Sequence, residues 1–163
     1  MTGVQTCALP IFTTLGALGL AGAGGLTLSW PRRAHAQPLG QHETVDEALK
    51  RIFGTRPMKD GSGVIKLDLP LIAENGAVVP VSVDVASPMT PANHVKAIYV
   101  VADKNRIPVV FRTTLGPEAG QAAIGATIRL GETGDVRAIV EQSDGTLLTV
   151  RREVKVTVGG CGG

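Results

Sequence analysis

An all-β sandwich of about seven antiparallel strands, preceded by one short helix, is the fold class this sequence predicts. Three observations predict it. Apolar runs with the two-residue period of a strand succeed one another from Ile65 to Val158. Turn signals separate them every 8–12 residues or so. Gly and Pro number 21 and 10 in a chain of 163 residues, as strands joined by turns require. The arrangement is of immunoglobulin type. It lacks the Cys…Trp…Cys signature of antibody domains, because the single Trp30 lies ahead of every strand.

The helix comes first. Thr44-Val45-Asp46-Glu47 is a capping box, with Thr44 as N-cap and Glu47 reaching back to its amide. Val45, Ala48, Leu49, Ile52 and Phe53 then repeat at helical spacing, and Gly54 stops the helix. The period changes at Ile65, Leu67 and Leu69, which alternate with Lys66 and Asp68. Asn75-Gly76 is a turn. Val79, Val81, Val83 and Val85 form the second strand, in which Pro80 predicts an edge or a bulge. Val95 to Ala102 is apolar on both faces, which predicts a central strand. Val109 to Thr114, Ala122 to Leu130 and Val136 to Gln142 supply three more, with turns at Asp103-Lys104-Asn105, Gly116-Pro117 and Glu132 to Asp135. Ser143-Asp144-Gly145 is a hairpin loop into the seventh strand, Leu148 to Val158. Arg152 interrupts its apolar face, which predicts a bulge or a surface end.

The front of the chain reads as an export signal over residues 1–36. Phe12 to Trp30 is uncharged and apolar, and Ala34-His35-Ala36 is a cleavage site before Gln37. The run is of borderline length for a membrane span and rich in glycine, which favours a cleaved signal over a transmembrane helix. MTGVQTCALPI reads as foreign to the rest of the chain and resembles a translated sequencing adapter. No Lys or Arg precedes Arg32, so the expected positive start is not visible, nor is a twin-arginine motif. The expected destination is the periplasm, an oxidising compartment.

Composition excludes several function classes. Removing Arg32 and Arg33 from 16 Lys and Arg leaves 14, against 14 Asp and Glu. A domain near zero charge has no electrostatic case for nucleic acid or an anionic membrane, and a permanent protein partner suits it. Aromatic residues make up 3%, too few for base stacking. His42 and His94 are distant in sequence, and no Cys/His spacing suits a metal. There is no nucleophile elbow and no phosphate loop. No metal, cofactor or catalytic set is expected.

The chemistry sits at the end, in Gly159-Gly160-Cys161-Gly162-Gly163. Cys161 is the one cysteine of the expected mature chain, so in an oxidising compartment it has no internal partner. Glycines on both sides make a thin arm, and five residues reach at most ~18 Å. No cation lies in these five residues to favour the thiolate, which points to activation by other proteins. An interchain disulfide at Cys161 in a secreted structural module is the alternative reading. A ubiquitin-like thiocarboxylate carrier is a third, weakened by the signal and by the cysteine.

The terminal GGCGG, the valine-rich strand before it and the export signal resemble the SoxY family. EALKRIFGTRPMKDG, IKLDLPLIAENGAVVPVSVDVASPMT and VKAIYVVADKNRIPVVFRTTLGPEAG extend the likeness over about Glu43 to Gly163. The resemblance implies a non-enzymatic sulfur carrier of the thiosulfate-oxidising Sox system. It implies covalent sulfur attachment at Cys161 and a flexible arm of Gly159, Gly160, Gly162 and Gly163. It implies an immunoglobulin-like sandwich over residues 37–158, paired with a second sandwich protein, SoxZ. The implied transient partners are the cytochrome SoxXA, the manganese hydrolase SoxB, and SoxCD or another acceptor of sulfane sulfur.

Overall fold

The structure, a computed structural model, describes residues 42–160. The expected export segment, with its cut after Ala36, lies outside the described residues, as do Cys161, Gly162 and Gly163. Helix α1 spans Val45–Phe53. The Thr44 hydroxyl accepts from the Glu47 amide at 3.3 Å, and the Glu47 carboxylate accepts from the Thr44 amide at 2.8 Å. Both halves of the capping box are thus closed. Gly54 ends the helix at φ 64, where a β-carbon would be strained.

Hydrogen bonds from Thr44 hold the Glu47 carboxyl below its usual 4.5, and the Arg51 guanidinium does the same to Glu43. Each group therefore binds protons less readily folded than unfolded. Its support for the helix end is complete above the ordinary carboxylate value and is lost as pH falls through the lowered folded one. Amide exchange during an acid titration is expected to show the first turn of α1 fraying below pH 4.5, ahead of the sheets. Glu47→Ala is expected to remove that pH dependence in part. An unchanged titration in the variant would contradict this account.

Nine strands follow: β1 Met58–Asp60, β2 Ile65–Asp68, β3 Ile72–Ala73, β4 Val79–Val85, β5 Val95–Ala102, β6 Val109–Thr114, β7 Ala122–Ile128, β8 Gly134–Gln142 and β9 Leu147–Val156. One sheet runs β1-β9-β8-β5-β6, with β3 beside the far end of β9; the other is β2-β4-β7. The inner faces meet in a core of aliphatic side chains, among them Val79, Val81, Val83, Ile98, Val100, Val136, Val140 and Val154. The pattern of β4, buried at every odd residue and exposed at every even one, is what one covered face produces. β5 is different, because its outer face is covered too. Ala97, Tyr99 and Val101 meet Phe53 of α1 there, with Val45, Leu49 and Ile52 around them. The molecule is therefore layered helix, larger sheet, smaller sheet.

The sandwich expected from the sequence is present, with α1 and the borders of β5 and β6 where the pattern placed them. The immunoglobulin label fits approximately, because two of the strand pairings are parallel. β1 and β3 both lie parallel to β9, at Leu147–Thr149 and at Lys155–Val156. Neither was expected. Both exist because β9 is long and offers a free edge at each end. The chain leaves that edge after β1, contributes β2 to the opposite sheet, and returns as β3.

Two local expectations change. Pro80 is not on an edge strand, since β4 lies between β2 and β7. β2 stops at Asp68, opposite Ser82, so β4 has only β7 beside it at Pro80. The Ala86 amide donates toward the β2 side, to Val64 at 2.9 Å. Strand alternation turns the nitrogen of Pro80 the same way, past the end of β2, where no donor is needed. Arg152 makes no bulge. It pairs in register with Val136 and is exposed, which leaves the surface half of the expectation.

Candidate functional site

The tail leaves β9 at Val156, and a ladder of three backbone hydrogen bonds meets it. The Gly76 amide donates to the Val158 carbonyl at 2.7 Å, the Leu130 amide donates to the Gly76 carbonyl at 2.7 Å, and the Gly160 amide donates to the Leu130 carbonyl at 3.0 Å. The loop after β3 and the loop after β7 thus close on the tail from two sides. Gly160 is buried, whereas Gly159 is exposed.

The sequence predicts Gly159 and Gly160 as part of a flexible arm; the structure sets the Gly160 amide on the Leu130 carbonyl and leaves Gly159 exposed. Their missing side chains serve close approach. A β-carbon on Gly160 would stand 2.7 Å from the Gly76 carbonyl oxygen and 2.8 Å from the Ala77 Cα. One on Gly159 would press into the Gly131 carbonyl oxygen. Gly76 carries the same restriction, since a β-carbon there would stand 2.9 Å from the Gly160 nitrogen and would also press on the Leu130 carbonyl. The Asn75 carboxamide shapes this turn by accepting from the Ala77 amide at 2.9 Å.

Asn105 supports the other side. It is buried, its amide donates to the Arg129 carbonyl at 2.7 Å, and its oxygen accepts from the Gly131 amide at 3.0 Å. These two bonds bracket Leu130, the residue that holds Gly160. The sequence pattern marks Asp103-Lys104-Asn105 as a turn and misses this role. No local signal marks it, because the partners lie 24 and 26 residues away. Asn105→Ala is expected to destabilise the domain by about 1 kcal/mol, the cost of losing two part-buried hydrogen bonds to the backbone. It is also expected to speed amide exchange at Gly160 more than in the β4 core. Unchanged exchange at Gly160 would show that Asn105 does not hold the seat.

The remaining candidates do not gather. His42 is exposed near Glu43. His94 sits between β4 and β5, its Nδ1 3.2 Å from the Thr90 carbonyl and its backbone amide on the Ser143 hydroxyl at 3.3 Å. Among the described residues no group of His, Cys, Asp and Glu has the arrangement of a metal site. No described helix is long and apolar enough to cross a membrane. The two charge clusters on the helix side have structural partners: Arg56 and Lys96 approach the Glu141 carboxylate at 3.0 and 3.7 Å, and Arg137 grips Asp103. The approach to the tail, with its seated Gly160, is what the fold serves with dedicated backbone contacts.

Comparison with known proteins bears on this tail. The family model of the sulfur oxidation protein SoxY matches residues 49–161, so the match runs through both glycines to Cys161. The sulfur carrier protein SoxY from Chlorobium limicola f thiosulfatophilum is similar at 30% identity and a TM-score of 0.59, covering 71% of this chain and 97% of that one. A superoxide reductase (neelaredoxin) from Ignicoccus hospitalis matches with a TM-score of 0.51, covering 69% of this chain and 93% of that one. At 20% identity it shows a shared fold alone. No curated protein matches the sequence. The family match spans most of the chain, ends on the cysteine, and agrees with a solved SoxY fold: the chain belongs to the SoxY family of sulfur carriers, which are not enzymes.

Proposed function

We propose that the protein carries thiosulfate-derived sulfur on Cys161 and presents it to the periplasmic Sox enzymes as the partner of SoxZ. The observation that carries this reading is the family match ending on Cys161, the one cysteine after residue 7. The ladder that seats Gly160 supports it, since it delivers the chain to a fixed point on the domain. Cys161 is the next residue beyond that point.

The chemistry divides between carrier and enzymes. In loading, the Cys161 thiol and the outer sulfur of thiosulfate join in an S–S bond. One proton leaves, and two electrons pass to the coupling cytochrome, SoxXA, as the oxidant. The product is a cysteine S-thiosulfonate. In unloading, water attacks the terminal sulfone at SoxB. The S–S bond to that sulfone breaks, sulfate and a proton depart, and a cysteine persulfide remains. SoxCD or another acceptor takes the sulfane sulfur. No Lys, Arg or His lies in residues 156–163 to favour the thiolate, so activation falls to the enzymes.

Stoichiometry tests the reading. With the coupling cytochrome and thiosulfate but without the hydrolase, electron release is expected to stop after two electrons per Cys161. Adding the hydrolase is expected to restart it once a sulfane acceptor is present. Continuous turnover without the hydrolase would show that the chain is not a stoichiometric carrier. A chain that forms only a reducible dimer would be the structural module instead.

A further inference from the structure

Asn75-Gly76 makes a turn, and it also sets a carboxamide beside a backbone nitrogen that can attack it. Asparagine is chemically labile, and a following glycine has no side chain to hinder the attack. Asn75 is exposed, so water reaches it, whereas Gly76 is buried. The Asn75 oxygen accepts from the Ala77 amide at 2.9 Å, and the ring which that bond closes contains both the Asn75 Cγ and the Gly76 nitrogen. Electrophile and nucleophile are thus held side by side.

The tail keeps them from reacting. The Gly76 amide donates to the Val158 carbonyl at 2.7 Å. While that bond holds, the nitrogen keeps its proton, and the peptide between Asn75 and Gly76 cannot turn toward the carboxamide. The Gly76 carbonyl accepts from the Leu130 amide, also at 2.7 Å, which fixes the other edge of the same glycine. The Gly160 amide closes the ladder on the Leu130 carbonyl. The reactivity of Asn75 therefore depends on whether residues 158–160 are in place.

We propose that Asn75 is a deamidation site which the hydrogen bonds of the tail keep closed, and that its reaction loosens the ladder irreversibly. When the Gly76–Val158 bond opens, the Gly76 nitrogen attacks the Asn75 Cγ. A C–N bond forms there and the bond to the carboxamide nitrogen breaks. The Gly76 proton leaves with that nitrogen as ammonia, and a five-membered succinimide remains. One water then opens the ring. Its attack at Cγ gives an aspartate, and its attack at the backbone carbonyl gives an isoaspartate, whose main chain runs through Cβ and is one carbon longer. No oxidant, reductant or cofactor takes part. Either product places a new negative charge next to Glu74. The isoaspartate also displaces Gly76, which then cannot meet Val158 and Leu130 together. The site is independent of what Cys161 carries.

The test uses the full chain paired with SoxZ, incubated in mildly alkaline buffer, with the peptide that contains Asn75 followed by mass spectrometry. Gly160→Ala is the opening variant, because its β-carbon would stand 2.7 Å from the Gly76 carbonyl oxygen and 2.8 Å from the Ala77 Cα. It lies beyond both apolar cores, so the domain is expected to keep its native stability. Deamidation follows the fraction of molecules whose ladder is open, and losing about one hydrogen bond from the seat raises that fraction on the order of tenfold. The rate at Asn75 is expected to rise by that factor in the variant, together with faster amide exchange at Gly76. Asn93, which precedes the bulkier His94, is expected to react at one slow rate in both proteins. The isoaspartate fraction of aged native protein, separated by its charge, is expected to exchange the Gly160 amide faster than unreacted protein. Equal rates at Asn75 in the native and variant chains, or a native rate as fast as that of the chain unfolded in urea, would overturn the protection. Native exchange at Gly160 in the isoaspartate fraction would overturn the loosening.

Discussion

Cys161→Ser is expected to abolish thiosulfate-dependent electron release in a reconstituted Sox system. A serine hydroxyl is isosteric with the thiol to within the size of one atom, but it forms no S–S bond with thiosulfate. The loss is therefore expected to be complete rather than graded. Stability is expected to remain native, because both apolar cores are built from residues 45–156. Pairing with SoxZ is expected to survive for the same reason. Cytochrome reduction followed by absorbance, with a thermal melt of the same sample, checks both halves at once. Substantial residual oxidation in the variant would mean that sulfur is carried elsewhere on the chain.

Phe53→Ala carries the largest expected effect on stability. Phe53 is buried at the end of α1, its ring edge-on to Tyr99 with centroids 4.9 Å apart and planes at 77°. Arg56 lies over the ring at 5.8 Å and reaches from there to Glu141 at 3.0 Å. Truncation removes the plug between the helix and the outer face of β5 and unsupports the approach of Arg56 to a largely buried carboxylate. The expected loss is ~3–5 kcal/mol. A chemical melt should show this as a lowered midpoint with an unchanged slope. Loss below about 1 kcal/mol would mean that α1 contributes little to the fold. The seat of Gly160, built from the loops after β3 and β7, is expected to keep its exchange protection wherever the domain remains folded.

Most of the sandwich was legible because most of its strands have one covered face. Val79 to Val85 alternates without exception, and the structure buries its odd residues. Val95 to Ala102 is apolar on both faces because a helix covers the second, and the capping box at Thr44 marked that helix in advance. β1 and β3 were not legible. Met58-Lys59-Asp60 has no alternation and Ile72-Ala73 is too short to show one; both become strands only because β9 presents an edge to them. Pro80 misled for a related reason, since whether a strand is an edge depends at each residue on where its neighbour stops.

The sequence singled out Cys161 and its glycines, whose role is the proposal made above, and held no sign of how the domain meets Gly160. What they hid was that glycine has two uses, freedom and close approach. At Gly159 and Gly160 the second prevails, because carbonyls of Gly76 and Gly131 lie where a β-carbon would be. Asn75-Gly76 read as a turn and is one, but the same Gly76 is also the middle of the ladder. Asn105 left no trace in the pattern around it.

The central claim is that sulfur resides covalently on Cys161 between enzymes. Tandem mass spectrometry of the C-terminal peptide, taken from the SoxZ-paired protein stopped during thiosulfate turnover, tests it most directly. The account predicts a thiosulfonate and then a persulfide, both on Cys161, appearing in that order when the hydrolase is added. A thiocarboxylate on Gly163, or an unmodified tail throughout active turnover, would contradict it.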